Sequence, residues 1–213
     1  MSEETTNKKG LRYKFKNFRA TLKRYAEITE VYEIARRYFV MNAFDGALTT
    51  LGILIGFFLA NVSDPQIVVI TVLAGALAMG ISGLWGAFLA ESAERKRELK
   101  QLERAMMTDL SHSVMARASK FATIFSALID GLSPALAAIV GILPFFFGLN
   151  AGVDSDLFNL LFFISIGLNL VVLFLLGMFL GRVSKGNVII MGLKVLLAGV
   201  VITIILFVLN LGH

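Results

Sequence analysis

Two aspartates lie inside long apolar runs of the chain, in Phe44-Asp45-Gly46-Ala47-Leu48-Thr49-Thr50 and in its echo Ile129-Asp130-Gly131-Leu132-Ser133-Pro134. A carboxylate at the centre of a bilayer-spanning helix costs roughly 2.5–3.5 kcal/mol on insertion scales, so it is kept there for a cation, a proton or a partner side chain. Between them, Thr71, Gly75, Met79, Gly83, Ala87 and Glu91 follow one another at four-residue steps, with Met79 the one large side chain among the apolar members of that strip. A thioether there could simply fill space. Paired with a membrane carboxylate, it adds a soft sulfur to a hard oxygen. That mixture suits a borderline transition ion better than Mg²⁺ or Ca²⁺, which favour oxygen shells.

A second group of candidate ligands follows. If residues 91–115 form one continuous helix, Glu91, Glu94, Glu98, Asp109 and His112 share a narrow face of it, beside an apolar stripe of Leu99, Leu102, Met106 and Leu110. Carboxylate, imidazole and thioether together could gather cations. The same spacing also describes a solvated, salt-bridged helix in which Glu94 and Glu98 neighbour Arg95, Arg97 and Lys100.

The elements that must position these residues are membrane helices. The 213-residue chain is 57% hydrophobic and 16% charged, with mean hydropathy +0.78, which excludes an ordinary soluble domain. Five stretches exceed the roughly 20 residues needed to span a bilayer. They run near 39–60, 66–90, 121–149, 157–181 and 186–211. The fold class is therefore an all-α polytopic membrane protein. Its expected divisions are a cytoplasmic basic amphipathic segment 1–38, helices one and two over 39–90, a cytoplasmic acidic, Met-containing helical segment 91–120, and helices three to five over 121–213. No cysteine is present, so disulfides and thiolate metal sites are excluded. The first 38 residues are too long and too charged for a signal peptide.

Charge fixes the expected orientation. Of the 20 Lys and Arg residues, ten lie between Lys8 and Arg37, seven between Arg95 and Lys120, and the rest are Arg182, Lys185 and Lys194. The loops around 61–65 and 150–156 carry Asp64, Asp154 and Asp156 but no base. The positive-inside rule then places the N-terminus in the cytoplasm and the C-terminus outside. The formal charge of +5 belongs to that face and calls for no nucleic-acid partner.

Before the first span, Leu11, Phe15, Phe18, Leu22, Tyr25 and Tyr32 recur at helical spacing among basic residues. This is the pattern of a helix in the headgroup plane, with packing on the rest of the protein as the alternative. Small residues also recur along the second span at Ala74, Ala78, Ser82, Gly86 and Ala90, a strip that permits close helix association. Aligning Asp45 with Asp130 pairs Gly46 with Gly131 and Gly56 with Gly141. A slightly larger offset pairs Gly86, Phe88 and Leu89 with Gly177, Phe179 and Leu180. Spans one and two thus read as a distant copy of spans three and four, an arrangement transporters often use.

These residues match a family pattern. Arg37-Tyr38-Phe39-Val40-Met41-Asn42-Ala43-Phe44-Asp45-Gly46-Ala47-Leu48-Thr49-Thr50 resembles the first-span signature of the vacuolar iron transporter-like family. Ala74-Gly75-Ala76-Leu77-Ala78-Met79-Gly80-Ile81-Ser82-Gly83, with Glu91 beyond it, is similar to the second-span signature, and Leu132-Ser133-Pro134 and Ile142-Leu143-Pro144-Phe145 to the third. The resemblance runs from residue 37 to about 211 and is to a prokaryotic-type member with a short cytoplasmic region. It implies a five-span homodimer exporting Fe²⁺, and often Mn²⁺, from the cytosol in exchange for protons, with no permanently bound cofactor. It places Asp45 and Met79 on the path at the dimer interface. It also implies metal-binding roles for Glu91, Glu94, Glu98 and the Met106-Met107-Thr108-Asp109 run. Two departures stand out: Thr71 occupies a position where many members carry a glutamate, and the segment between spans two and three is short.

His112 and Asp130 are further candidates, the latter also readable as a cap at the start of the third span. A competing function is a non-transporting metal sensor or scaffold signalling through 91–120, in which Asp45 would pair with Lys194. An enzyme is not indicated: the only histidines are His112 and His213, and no nucleophile–base constellation accompanies them. The absence of a targeting segment suits a prokaryotic plasma membrane.

Overall fold

Lipid offers no hydrogen-bonding partner to a bare backbone, so apolar stretches of this length must become helices. The computed structural model describes residues 20–149 and 155–211, and all regular structure among them is helical. In chain order, α1 covers residues 20–29, α2 Val31–Leu59, α3 Pro65–Met106, α4 Val114–Gly141, α5 Leu143–Gly148, α6 Ser155–Val183 and α7 Val188–Leu211. Five of these, α2, α3, α4, α6 and α7, are long and apolar enough to cross a membrane.

The helix boundaries have local causes. Asn61 ends the α2 turn in the left-handed region (φ 51°), a conformation asparagine tolerates. The Asp64 carboxylate then accepts the Gln66 N–H at 2.8 Å, with Pro65 as the first residue of α3. Ser113 Oγ accepts the Ala116 N–H at 3.1 Å to open α4, and Asn187 Oδ1 accepts those of Ile189 and Ile190 at 3.1 and 3.2 Å to open α7. Such caps are each worth about 1 kcal/mol.

The chain divides into two compact units. The described residues up to Arg36 with Trp85–Leu128 form one; Arg37–Leu84 with the described residues from Ile129 onward form the other. In the first, Ala26, Val31 and Ala122 are buried together, with Phe121 and Phe125 against them. Tyr25 packs on Phe121 and Tyr32 on Phe125, with ring centroids 6.3 and 6.1 Å apart. Tyr25 and Tyr32 of the aromatic stripe therefore meet rings of α4. Leu11, Phe15 and Phe18 lie outside the described residues.

The second unit holds two larger cores. One gathers Leu54, Val68, Val72, Ala138, Ile142, Phe145 and Phe162; the other gathers Ala43, Ala47, Leu51, Ile55, Ala137 and Leu173. Helices α6 and α7 pack closely because Gly177 faces the backbone of Met191 and Gly192, where a Cβ would stand 2.7 Å from it. The third apolar stretch, read from sequence as one span to Leu149, is broken: α4 ends at Gly141 and α5 begins at Leu143 with Pro144 in its first turn. Asn169 on α6 is fully buried and donates to the carbonyls of Gly141 (3.2 Å) and Ser165 (2.9 Å). The first of these bonds supplies a donor at the end of α4, where the helix stops.

Candidate functional site

Asp45 lies midway along α2 with its side chain exposed, and no ion pair reaches it among the described residues. Lys194 is likewise exposed on α7 and makes no ion pair with Asp45. Met79 is half-buried on α3, and Thr71, two turns earlier, is exposed. The two small-residue strips of α3 meet different fates. Ala74, Ala78, Ser82, Gly86 and Ala90 are all exposed in the single chain, whereas the strip bearing Met79 turns inward towards its end, where Ala87 and Glu91 are buried.

Asp130 is not a cap. It lies past the middle of α4, which begins at Val114, because the helix extends seven residues before the apolar stretch starts. Its side chain is only 7% exposed, accepts a hydrogen bond from Asn42 Nδ2 at Oδ1, and lies within electrostatic reach of Asp45. Oδ2 faces the bare Cα of Gly83, 2.9 Å from where a Cβ would be. Both glycines that follow the aspartates make close backbone contacts, Gly46 with Pro134 and Gly131 with Gly80.

The second candidate group belongs to the other unit and differs from the expected single face. Helix α3 ends at Met106 because Met107 enters the left-handed region (φ 48°). Residues 107–113 then form a turn, so Asp109 and His112 leave the helix that carries Glu91, Glu94 and Glu98. The turn is held by polar side chains. Glu103 Oε1 accepts the Leu110 N–H at 3.0 Å, and Asp109 accepts the Ser111 N–H at 2.8 Å and its hydroxyl at 3.0 Å. The Ser111 backbone N–H, followed by its hydroxyl, draws the fully exposed Asp109 carboxyl below the usual carboxylate range. Asp109 therefore already serves the turn.

Glu91 is buried and paired with Arg95 one helical turn on, Nε to Oε2 at 3.0 Å. Glu94 is exposed; Glu98, also exposed, joins Glu30, Arg95 and Met115 in lining a cavity of about 260 Å³. Met106 and Met107 are open, the latter 94% exposed. Among the described residues, no three of His, Asp and Glu come together as a ligand set within one chain. The arrangement of this unit is that of a solvent-facing charged surface with one buried ion pair.

Asn42 and Gly83 are the participants that sequence reading passed over. Asn42 stands one turn before Asp45 on α2, and Gly83 one turn after Met79 on α3, the two signals that could have found them.

Residues 36–108 and 96–210 match the model of the VIT family. A protein of Methanocaldococcus jannaschii, named there only as uncharacterized, is 33% identical over 178 residues, covering 82% of this chain and 88% of its own.

Proposed function

The chain belongs to the VIT family of membrane divalent-metal transporters, and from that premise we propose that it moves Fe²⁺, and with it Mn²⁺ or similar ions, out of the cytosol in exchange for protons. The observation that carries the reading is Asp45: a carboxylate midway along a membrane helix, exposed and without an ion pair among the described residues. An intramembrane charge left open in a single chain needs a cation or a further protein surface to meet it.

The uncovered small-residue strip of α3 supplies that second surface if two copies associate. Across a two-fold axis, two Asp45 carboxylates and two Met79 thioethers would face one ion, with water completing its shell. Sulfur and oxygen together favour Fe²⁺ over Mg²⁺. A carboxylate must lose its proton to bind metal, so Asp45 itself can carry the returning proton. The charged turn 107–113, with Glu94, Glu98, Met106 and Met107 open near it in sequence, would gather ions on the cytosolic side, the side assigned by the lysines and arginines.

The test is Fe²⁺ uptake into proteoliposomes holding a metal-quenched dye, with wild type and Asp45→Ala side by side. Wild-type flux that vanishes in the variant is the expected result. Absence of flux for Fe²⁺, Mn²⁺ and Co²⁺ from correctly oriented wild type would discard the transporter reading.

A further inference from the structure

One turn of α4, Asp130–Pro134, touches both helices that carry the proposed path residues. On the α2 side, Asn42 Nδ2 donates to Asp130 Oδ1 and also to the Tyr38 carbonyl at 3.0 Å, so both amide hydrogens are engaged. One turn further along α2, Gly46 abuts the backbone of Pro134 so closely that any Cβ would overlap its carbonyl. Asp45 lies between these two attachments in sequence.

The α3 side is keyed to the same turn. A Cβ on Gly80 would stand 2.8 Å from the Gly131 carbonyl oxygen, and one on Gly131 would stand 2.6 Å from the Gly80 oxygen and 2.7 Å from Leu84 Cβ. A Cβ on Gly83 would stand 2.9 Å from Asp130 Oδ2 and 3.3 Å from the Asp130 carbonyl oxygen. Pro134 has no N–H, so that carbonyl loses its ordinary helical donor. Met79 directly precedes Gly80. Glycine contacts of this kind fix how near two helices come but leave rotation about their axes freer; a hydrogen bond between side chains fixes rotation as well.

We propose that Asp130 is a positioning residue: by accepting from Asn42 while seated on Gly83, it sets the rotation of α2 against α3 and α4, and with it the aim of Asp45 relative to Met79. This inference rests on the transport reading above, in which Asp45 and Met79 hold the ion. A carboxylate suits the task because a charged acceptor makes a hydrogen bond roughly twice as strong as a neutral one, and the missing Cβ at Gly83 gives it room. Asp130 then acts through Asn42 and does not itself touch the cargo. Loss of the bond should weaken metal capture more than it slows turnover, as loss of a partner behind a metal ligand typically costs about 10–100-fold in affinity.

The experiment measures KM and maximal rate of Mn²⁺ flux in proteoliposomes for wild type, Asn42→Ala, Asp130→Asn and the exchanged pair Asn42→Asp/Asp130→Asn. Asn42→Ala should raise KM about 10-fold or more with the maximal rate within about 3-fold of wild type. Asp130→Asn keeps an acceptor and should have a smaller effect. The exchanged pair reverses donor and acceptor and should return KM towards wild type. A wild-type KM in Asn42→Ala overturns the proposal, as does an exchanged pair that stays as impaired as Asn42→Ala; in either case transport by wild type stands. No saturable flux of Mn²⁺, Fe²⁺ or Co²⁺ in wild type overturns the transport reading and this inference with it. Size-exclusion profiles of all four proteins separate these outcomes from misfolding.

Discussion

The Asp–Gly pairs of α2 and α4 share a local sequence and meet opposite surroundings. Asp45 projects from α2 into open space, while Asp130 is buried, bonded to Asn42 and pressed against Gly83. The glycines that follow them do similar work, each letting its helix touch another backbone. What separates the two acids is therefore not their own helices but what the neighbouring helices offer: Asn42 supplies a donor to one, and no ion pair among the described residues reaches the other. Two Asp–Gly pairs of like sequence can each support a close helix contact while their carboxylates take different roles.

The sharpest way to break this contrast is to neutralise each acid in turn. Asp45→Asn should lower metal flux by ~100-fold or more, because it removes a proposed ligand, whereas Asp130→Asn should stay within ~10-fold of wild type. Flux assays on vesicles with matched protein content would settle it, and equal losses would erase the distinction between the two positions.

The glycines provide a structural counterpart. Gly131→Ala drives a methyl into the backbone of Gly80 and should destabilise the protein by about 1–3 kcal/mol, as overpacking does. Gly56, the repeat-related partner of Gly141, has nothing within 4 Å of its would-be Cβ. There, alanine should be neutral or stabilise by up to ~1 kcal/mol through helix propensity. Denaturation in detergent would check both; similar midpoints for the two variants would mean that the α3–α4 contact is slack.

A gain of function should be smaller. Thr71 is exposed on α3 two turns before Met79, and Thr71→Glu would restore the acid that many family members carry. Added ligand charge raises cation affinity, so KM for divalent metal should fall several-fold. An unchanged KM would place Thr71 off the path.

The smallest expected effect lies in the other unit. The Asp109 carboxyl is held below the ordinary 3.8 by the Ser111 N–H and hydroxyl. With its folded pKa depressed, its contribution to the 107–113 turn is full above the ordinary value and fades as pH falls through the folded one. An NMR titration of the Ser111 amide shift should therefore show its midpoint below 3.8; a midpoint at or above it would mean that the turn does not hold the carboxylate.

How far the sequence could be read depended on whether a contact was local. The apolar lengths sufficed for five membrane helices, and Asp45, Met79 and Asp130 stood out because charge and sulfur are rare in such runs. The helix stop at Met107 was missed because charge periodicity persists past it. Yet Asp109, Ser111 and Ser113 are turn and cap formers, and their succession was a usable signal. The Asn42–Asp130 bond links residues 88 apart, and the Gly83 seat depends on how two helices cross. Neither follows from spacing along one helix. The break between α4 and α5 was hidden for a related reason: Pro144 hinted at it, but the Asn169 side chain that holds the freed carbonyl comes from another helix.

In the proposed mechanism one exposed carboxylate trades metal for protons. The most direct measurement follows both ions at once, with a pH-sensitive dye and a metal-sensitive dye inside the same wild-type vesicles while Fe²⁺ is added outside. Protons should leave as metal enters, in fixed proportion, and both signals should disappear in Asp45→Asn. Metal entry with no proton movement once the membrane potential is clamped, or proton exchange that persists in Asp45→Asn, would contradict it.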